Sequence, residues 1–402
     1  MPKLTTIARL FITGLLAATV SSLTWAQGLL DPPEKIEFGQ WRPAAQTEYY
    51  ARYWMSFPTA RPSQYPENND VRLQVYVPTN RIGKVPVVLL LHYWGATDST
   101  LEEEFAEILA TKGIASVIMP MPYHLSRTPE GYRSGELMIQ ADVEDMKQKM
   151  AQTVSDIRRT VDWMETRPEL DMNRLGLTGT SLGGIVSTMA FGIEPRFKYG
   201  AFLLAGVDMA HIIFHSNKVA EQREQFRRKG YTEESLREAL KEVEPLTYLS
   251  PSDPRPIYIV RARHDEVVPL SATDRLEDAI GPHQTLWLET GHYGGFLVKR
   301  GLVRNVSSFF QSEFTGKSFD APKTFYAPTI RVGVGLNPED GMQVLAGLDV
   351  WRLEGNKAFG SILFSPRGPR AFLGSELDRG ISVGAMFTPQ KTTFGVFWST
   401  VF

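Results

Sequence analysis

The sequence predicts an α/β protein, with a mostly parallel sheet covered by helices on both faces, followed by an antiparallel β-meander. Three observations carry this. Apolar runs of strand length alternate with helical patterns from residue 70 to about 316. One run, Val85 to Leu91, is nearly continuous in Val and Leu, which suits a central strand covered on both faces. Beyond about Lys317, helical periodicity gives way to glycine-punctuated alternation.

With 402 residues, 43% apolar and 22% charged, the chain can bury a large core and is long for one domain. A net charge of -2 provides no basic field for nucleic acid or an anionic membrane surface. There is no cysteine, which excludes disulfides, thiolate nucleophiles, lipidation at Cys and Cys metal ligands.

Residues 1–26 differ from the rest. Lys3 and Arg9 form a positive start, an apolar run spans Leu10 to Leu23, and Thr24-Trp25-Ala26 is a small-x-small ending. This is the pattern of a secretory signal peptide cleaved after Ala26. A membrane anchor is the alternative, but the run is shorter than the roughly 20 residues that span a bilayer. Cleavage removes two positive charges and takes the net charge from -2 to -4. Residues 27–69 read as an irregular, aromatic- and proline-rich arm with one short helix, packed on the core.

The α/β unit occupies residues 70–316. Val71 to Val77 alternates as a strand, Leu101 to Lys112 is a helix closed by Gly113, and Ile114 to Met119 is the next strand. A long amphipathic helix is expected from about Glu136 to Glu165, with Val143, Met146, Met150, Val154, Ile157, Val161 and Met164 on its apolar face. The strand beginning at Leu175 leads into Gly179-Thr180-Ser181-Leu182-Gly183-Gly184, and an apolar helix follows. Further strands are expected at 199–204, 256–262 and 285–288, and a last helix at 298–314. The charged helical insert at 209–245 would lie over the carboxyl edge of the sheet, either as a cap over a pocket or as a solvated excursion.

Strand, sharp turn and helix around Gly-x-Ser-x-Gly is the context of a nucleophile elbow, in which only residues without bulk can flank the serine. Three strand ends carry Ser181, Asp265 and His292 in that order. The roles follow from the proton inventory. A serine hydroxyl becomes nucleophilic when an imidazole takes its proton, and a carboxylate must orient that imidazole and stabilise its cation. The oxyanion formed needs preorganised donors, one of them the backbone N–H of Leu182 and the other from the loop His92 to Gly95.

Residues 70 to 315 resemble a bacterial α/β-hydrolase of the esterase type. The resemblance rests on Leu91-His92-Tyr93-Trp94-Gly95, the elbow, His264-Asp265-Glu266-Val267-Val268-Pro269 and Gly291-His292. It implies Ser181 as nucleophile, Asp265 as acid, His292 as base, and the Trp94 N–H as the second oxyanion donor. The family usually has glycine where this chain has Tyr93, which could narrow the pocket or lend its hydroxyl.

Other residues compete for these roles. Asp208 also ends a strand and is an alternative acid, although the turn-like context favours Asp265. His264 precedes the last strand and reads as a residue supporting the acid or lying on the surface rather than as the base, and His92 reads as structural in its loop. His211 and His215 have the i, i+4 spacing of a zinc pair, but lack a Glu between them and an evident third ligand, and read as a helix-face coincidence. Glu102-Glu103-Glu104 and Arg227-Arg228-Lys229 read as solvated faces. Neither metal nor cofactor is expected.

Residues 317–402 carry six strands, beginning with Ile330 to Leu336 and ending with Thr392 to Phe402. In the first, Ile330, Val332, Val334 and Leu336 share one face; in the last, Phe394, Val396, Trp398 and Phe402 do. Such strands resemble those of outer-membrane proteins, but a closed single-chain barrel takes about 8. A soluble sandwich or a sheet packed on the catalytic unit is therefore expected, with an oligomeric barrel and outer-membrane association as the alternative. The functional expectation is an exported, periplasmic or secreted serine hydrolase acting on a small-molecule or polymer-linked acyl ester. A serine peptidase on the same fold is the second reading, and a catalytically silent surface or outer-membrane binding module is the third.

Overall fold

The computed structural model describes residues 31–326, 329–353, 358–378 and 380–401. The export signal expected over residues 1–26 lies outside these, as does Phe402. Among the described residues, ten strands form one sheet in the order β1-β2-β3-β5-β4-β6-β7-β8-β9-β10. They are β1 (Arg42–Gln46), β2 (Tyr50–Pro58), β3 (Asp70–Pro78), β4 (Val85–Leu91), β5 (Ala115–Met119), β6 (Leu170–Thr180), β7 (Tyr199–Leu203), β8 (Ile257–Ala262), β9 (His283–Leu288) and β10 (Thr324–Phe325). Strands β4 to β10 run parallel, and β1 to β3 join antiparallel at one edge.

The continuous apolar run of β4 divides between two cores. Val87, Leu89 and Leu91 pack on the side of α2 (Val143–Glu165) and α3 (Leu182–Ile193). Val88 and Leu90 pack on the other side with α1 (Thr100–Thr111) and the last helix, Lys299–Thr315, including Phe105, Phe309 and Phe310. At about 25 cal/mol per Å² of apolar surface, burial on both faces makes β4 a large contributor to stability.

Three expectations are corrected. The arm before residue 70 is not irregular, because β1 and β2 extend the sheet, with Trp41 stacked on Tyr53 at 4.3 Å. The long helix begins at Val143 rather than near Glu136, because the Asp142 side chain accepts the Asp145 N–H at 3.0 Å and caps it. Glu102 does not lie on a solvated face; it is 2% exposed, turned inward from α1. Arg227, Arg228 and Lys229 are exposed as expected.

Strands β11 (Ile330–Asn337), β12 (Gly341–Arg352), β13 (Ala358–Ser365), β14 (Gly368–Asp378), β15 (Ile381–Phe387) and β16 (Thr392–Val401) form a closed antiparallel barrel, β11 pairing with β16. This overturns the expectation of a sandwich or open sheet. A six-stranded barrel has room for little inside, and the small inward residues let it close: a Cβ on Gly347 would lie 1.9 Å from the Ile362 carbonyl oxygen. The interior holds Leu345, Phe359, Leu363, Phe372, Met386 and Phe397. It also holds a buried ion pair, Arg331 to Asp349 at 2.8 Å, with the guanidinium 3.7 Å from the centre of the Phe359 ring.

Candidate functional site

Ser181 sits between β6 and α3 with φ 56° and ψ -118°, a left-handed conformation that costs a non-glycine residue about 1–3 kcal/mol. The surroundings enforce it. Ser181 N–H donates to the Leu203 carbonyl at 2.8 Å. A Cβ on Gly179 would lie 2.3 Å from the Gly183 carbonyl oxygen, and one on Gly183 would lie 2.3 Å from that of His92. The Gly-x-Ser-x-Gly pattern is thus a packing requirement of the turn.

Past the end of β9, His292 is buried, and its Nε2 lies 2.9 Å from Ser181 Oγ. Its Nδ1 lies 2.7 Å from Asp265 Oδ2, past the end of β8. Asp265 Oδ1 accepts the N–H groups of Val267 and Val268 at 2.9 and 2.8 Å, which fixes the carboxylate plane. A carboxylate can only accept, so neutral His292 carries its proton on Nδ1 and leaves Nε2 to accept from the serine. The three residues predicted from their order along the chain form one hydrogen-bonded line.

Asp208, the alternative acid, faces elsewhere. It caps α4 (Met209–His215) through the His211 N–H at 3.1 Å and pairs with Arg237 and Arg275. His264 lines a cavity beside the barrel, and burial lowers its pKa. His92 is fully buried, which pushes its pKa down to about 4. This neutral ring accepts the Met121 N–H at 2.9 Å and donates to the Tyr93 carbonyl at 2.9 Å, bracing the loop. His124 packs against it with the rings tilted and their centres 4.8 Å apart, its own pKa pushed down to about 3 by burial and by His92.

The loop His92 to Gly95 meets the elbow where Gly183 touches the His92 carbonyl. Trp94 Nε1 donates to the Gly135 carbonyl at 2.8 Å, and Ser134 Oγ to the Ala96 carbonyl at 2.5 Å. Ser134 and Gly135 were not singled out in the sequence, where they lie in a polar loop about 40 residues away. Tyr93 packs edge-on against Phe296 at 5.5 Å and lines a cleft of about 540 Å³ with Trp94, Ser181 and His292. Burial, then Glu102, raises its pKa.

Behind Ser181 lies a second, apolar cavity of about 80 Å³. Met146 and Met150 of α2, Ile185 of α3, and Met209 and Ile212 of α4 line it with Trp94 and Leu182. The insert at 209–245, built from α4, α5 (Ala220–Arg228) and α6 (Glu233–Leu240), therefore walls a pocket. Glu244 fastens it, accepting the Asp208 and Met209 N–H groups at 2.7 Å each. Met146 and Met150 were legible only as core positions of a helix.

Glu233 of α6 meets both histidines of α4, at 2.9 Å from His211 Nδ1 and 2.8 Å from His215 Nε2. These are direct hydrogen bonds tying the two helices together, and the carboxylate is the third neighbour that the spacing alone did not reveal. Burial opposes the charge on Glu233, but both histidines outweigh it and hold the carboxyl down at about 2.

The model of the family "Alpha/beta hydrolase domain containing 18" matches residues 41–205, and that of the prolyl oligopeptidase family matches residues 143–288. An uncharacterised protein of Mycobacterium tuberculosis (strain ATCC 25618 / H37Rv) is 29% identical over 52% of this chain and 48% of its own length. The chain thus spans about half the length of the first curated relatives it matches. A Bacillus subtilis (strain 168) protein named "Putative esterase YitV" is 24% identical over 52% of this chain and 80% of its own. Among solved structures, acetyl xylan esterase 1 from Thermoanaerobacterium sp. JW/SL YS485 superposes with TM-score 0.56 at 16% identity, covering 71% of this chain and 91% of that one, a likeness of fold. The chain thus has the α/β-hydrolase fold and is similar in sequence to hydrolase families of that fold and to a protein named a putative esterase.

Proposed function

We propose that this protein is an exported serine hydrolase that cleaves carboxylic esters through an acyl-enzyme. The observation that carries the reading is the line Asp265–His292–Ser181, with contacts of 2.7 and 2.9 Å. Ser181 Oγ attacks the ester carbonyl while its proton passes to His292 Nε2, and Asp265 stabilises the resulting imidazolium. The Leu182 and Trp94 N–H groups receive the oxyanion. Collapse expels the alcohol, which takes the proton from His292. Water then attacks the acyl-serine and gives a proton to His292, and on collapse His292 returns it to Ser181 Oγ as the acid leaves.

The apolar cavity of about 80 Å³ suits the acyl group, and the cleft of about 540 Å³ suits the alcohol, whether small or polymer-linked. The cavity is about half the size of one that admits benzene, which points to a short acyl chain. Export rests on Lys3, Arg9, the apolar run and Ala26. In the test, Ser181→Ala abolishes ester hydrolysis and fluorophosphonate labelling; unchanged labelling rejects the assignment. The match to the prolyl oligopeptidase family favours a second reading, a serine peptidase, and turnover of amide in preference to ester substrates would establish it.

A further inference from the structure

The outer wall of the β11–β16 barrel is apolar on every strand. Val332, Val344, Phe364, Leu373, Val383 and Phe394, one from each strand, all point outward and are exposed, Phe394 by 73%. The polar groups are inside: Arg331 bonds Asp349 and Ser399, and Arg370 bonds Asp340 at 2.8 Å. Among the described residues, no exposed side chain of the strands carries a charge. Among the described residues, the exposed charge of the barrel is confined to the rims. Glu339, Arg367 and Lys391 occupy the turns at one end. At the other end Arg352 pairs with Glu266, the residue after Asp265.

This distribution inverts that of a water-soluble barrel. Monomeric soluble proteins rarely expose contiguous apolar patches beyond a few hundred Å². The catalytic unit does not cover the wall, since it meets the barrel at the Arg352 end. A second copy related by a two-fold axis would cover one side only, while the apolar residues surround the barrel. The hydrocarbon of a bilayer would cover such a wall on every side, and it accepts no charge; a closed barrel leaves no strand edge unpaired in lipid.

Dimensions and rims agree. Strands β12, β14 and β16 have 12, 11 and 10 residues. Ten residues at about 3.3 Å each, tilted by about 40°, rise about 25 Å, the height of the apolar band on outer-membrane barrels. Exposed Trp351 and Trp398 lie towards the catalytic end, and Phe364, Phe387 and Phe394 towards the far turns, as aromatic girdles do.

We infer that the outer wall of this barrel is a lipid-contacting surface that seats in the hydrocarbon of a phospholipid bilayer and holds the Ser181 cleft at the membrane surface. Trp398 and Ser399 line one cavity with His292 and Tyr293, so the barrel's upper rim adjoins the site. Exposed Phe296 and Leu297 lie beside the cleft on the same protein. This inference is independent of the reaction Ser181 performs.

The absence of cysteine allows a direct test. The full chain carrying Val344→Cys, Leu373→Cys or Phe394→Cys, and Glu221→Cys on α5 as control, is labelled with an environment-sensitive fluorophore. It is then reconstituted with phosphatidylethanolamine–phosphatidylglycerol vesicles. The expected result is flotation with the vesicles, blue-shifted emission, and quenching by brominated lipid at the three wall positions but not at residue 221. A combined Val344→Lys, Leu373→Lys, Phe394→Lys chain, checked for folding by circular dichroism, should lose at least tenfold of its bound fraction. Protein that stays at the bottom of the gradient, or wall labels that read water, overturns the inference. So does protection of the wall by a concentration-dependent dimer without lipid quenching.

Discussion

A Cβ added to Gly183 would lie 2.3 Å from the carbonyl oxygen of His92. The elbow and the loop His92 to Gly95 are thus in backbone contact, and the close approach of the segments that carry the proposed oxyanion donors, Leu182 and Trp94, depends on the absence of a methyl group. His92 in turn is held by the Met121 N–H and by its own contact with the Tyr93 carbonyl.

Gly183→Ala is expected to push these two segments apart. Loss of one aligned donor costs on the order of 10²–10³ in kcat. Ester hydrolysis kinetics with a folding check by circular dichroism will measure it, and a fall in kcat with little change in KM is the expected pattern.

Asp265→Asn should lower kcat by roughly 10⁴-fold, because an amide in place of the carboxylate selects the wrong tautomer of His292. Asp208→Asn should leave kcat within a few-fold, since Asp208 is engaged by Arg237 and Arg275 rather than by His292. Equal losses in the two variants would contradict the assignment of the acid.

Glu102 gives a pH-dependent stability. Burial raises its carboxyl from an ordinary 4.5 to about 8, so the folded chain holds a proton that the unfolded chain releases. Its contribution is complete below about 4.5 and is lost as pH rises through about 8. Glu102→Gln should flatten that alkaline decline, read as urea midpoints across the range from about pH 5 to about pH 9.

The apolar cavity predicts acyl preference. Ile212→Ala on α4 enlarges the wall nearest the insert and should shift the preferred p-nitrophenyl ester towards longer chains. An unchanged chain-length profile would place the acyl group elsewhere.

Much of the catalytic unit is legible along the chain because its elements are locally overdetermined. Six Val and Leu residues among the seven from Val85 to Leu91 leave little choice but a buried strand, and the glycines around Ser181 admit only a sharp turn. Strand β1 is not legible, because Arg42 to Gln46 are all exposed on an edge and have no apolar period. The start of α2 depends on a single cap at Asp142.

The sequence by itself determined the order Ser181, Asp265, His292 and the strand ends that bear them, because strand and helix periods follow from local side-chain chemistry. Only the tertiary structure decided that Asp265 rather than Asp208 reaches His292, since both acids end strands and proximity depends on how the chain packs. Only the tertiary structure decided, too, that Val332, Val344 and Phe394 face outward. A period of two separates the faces of a strand, but closure of the sheet determines which face is inside.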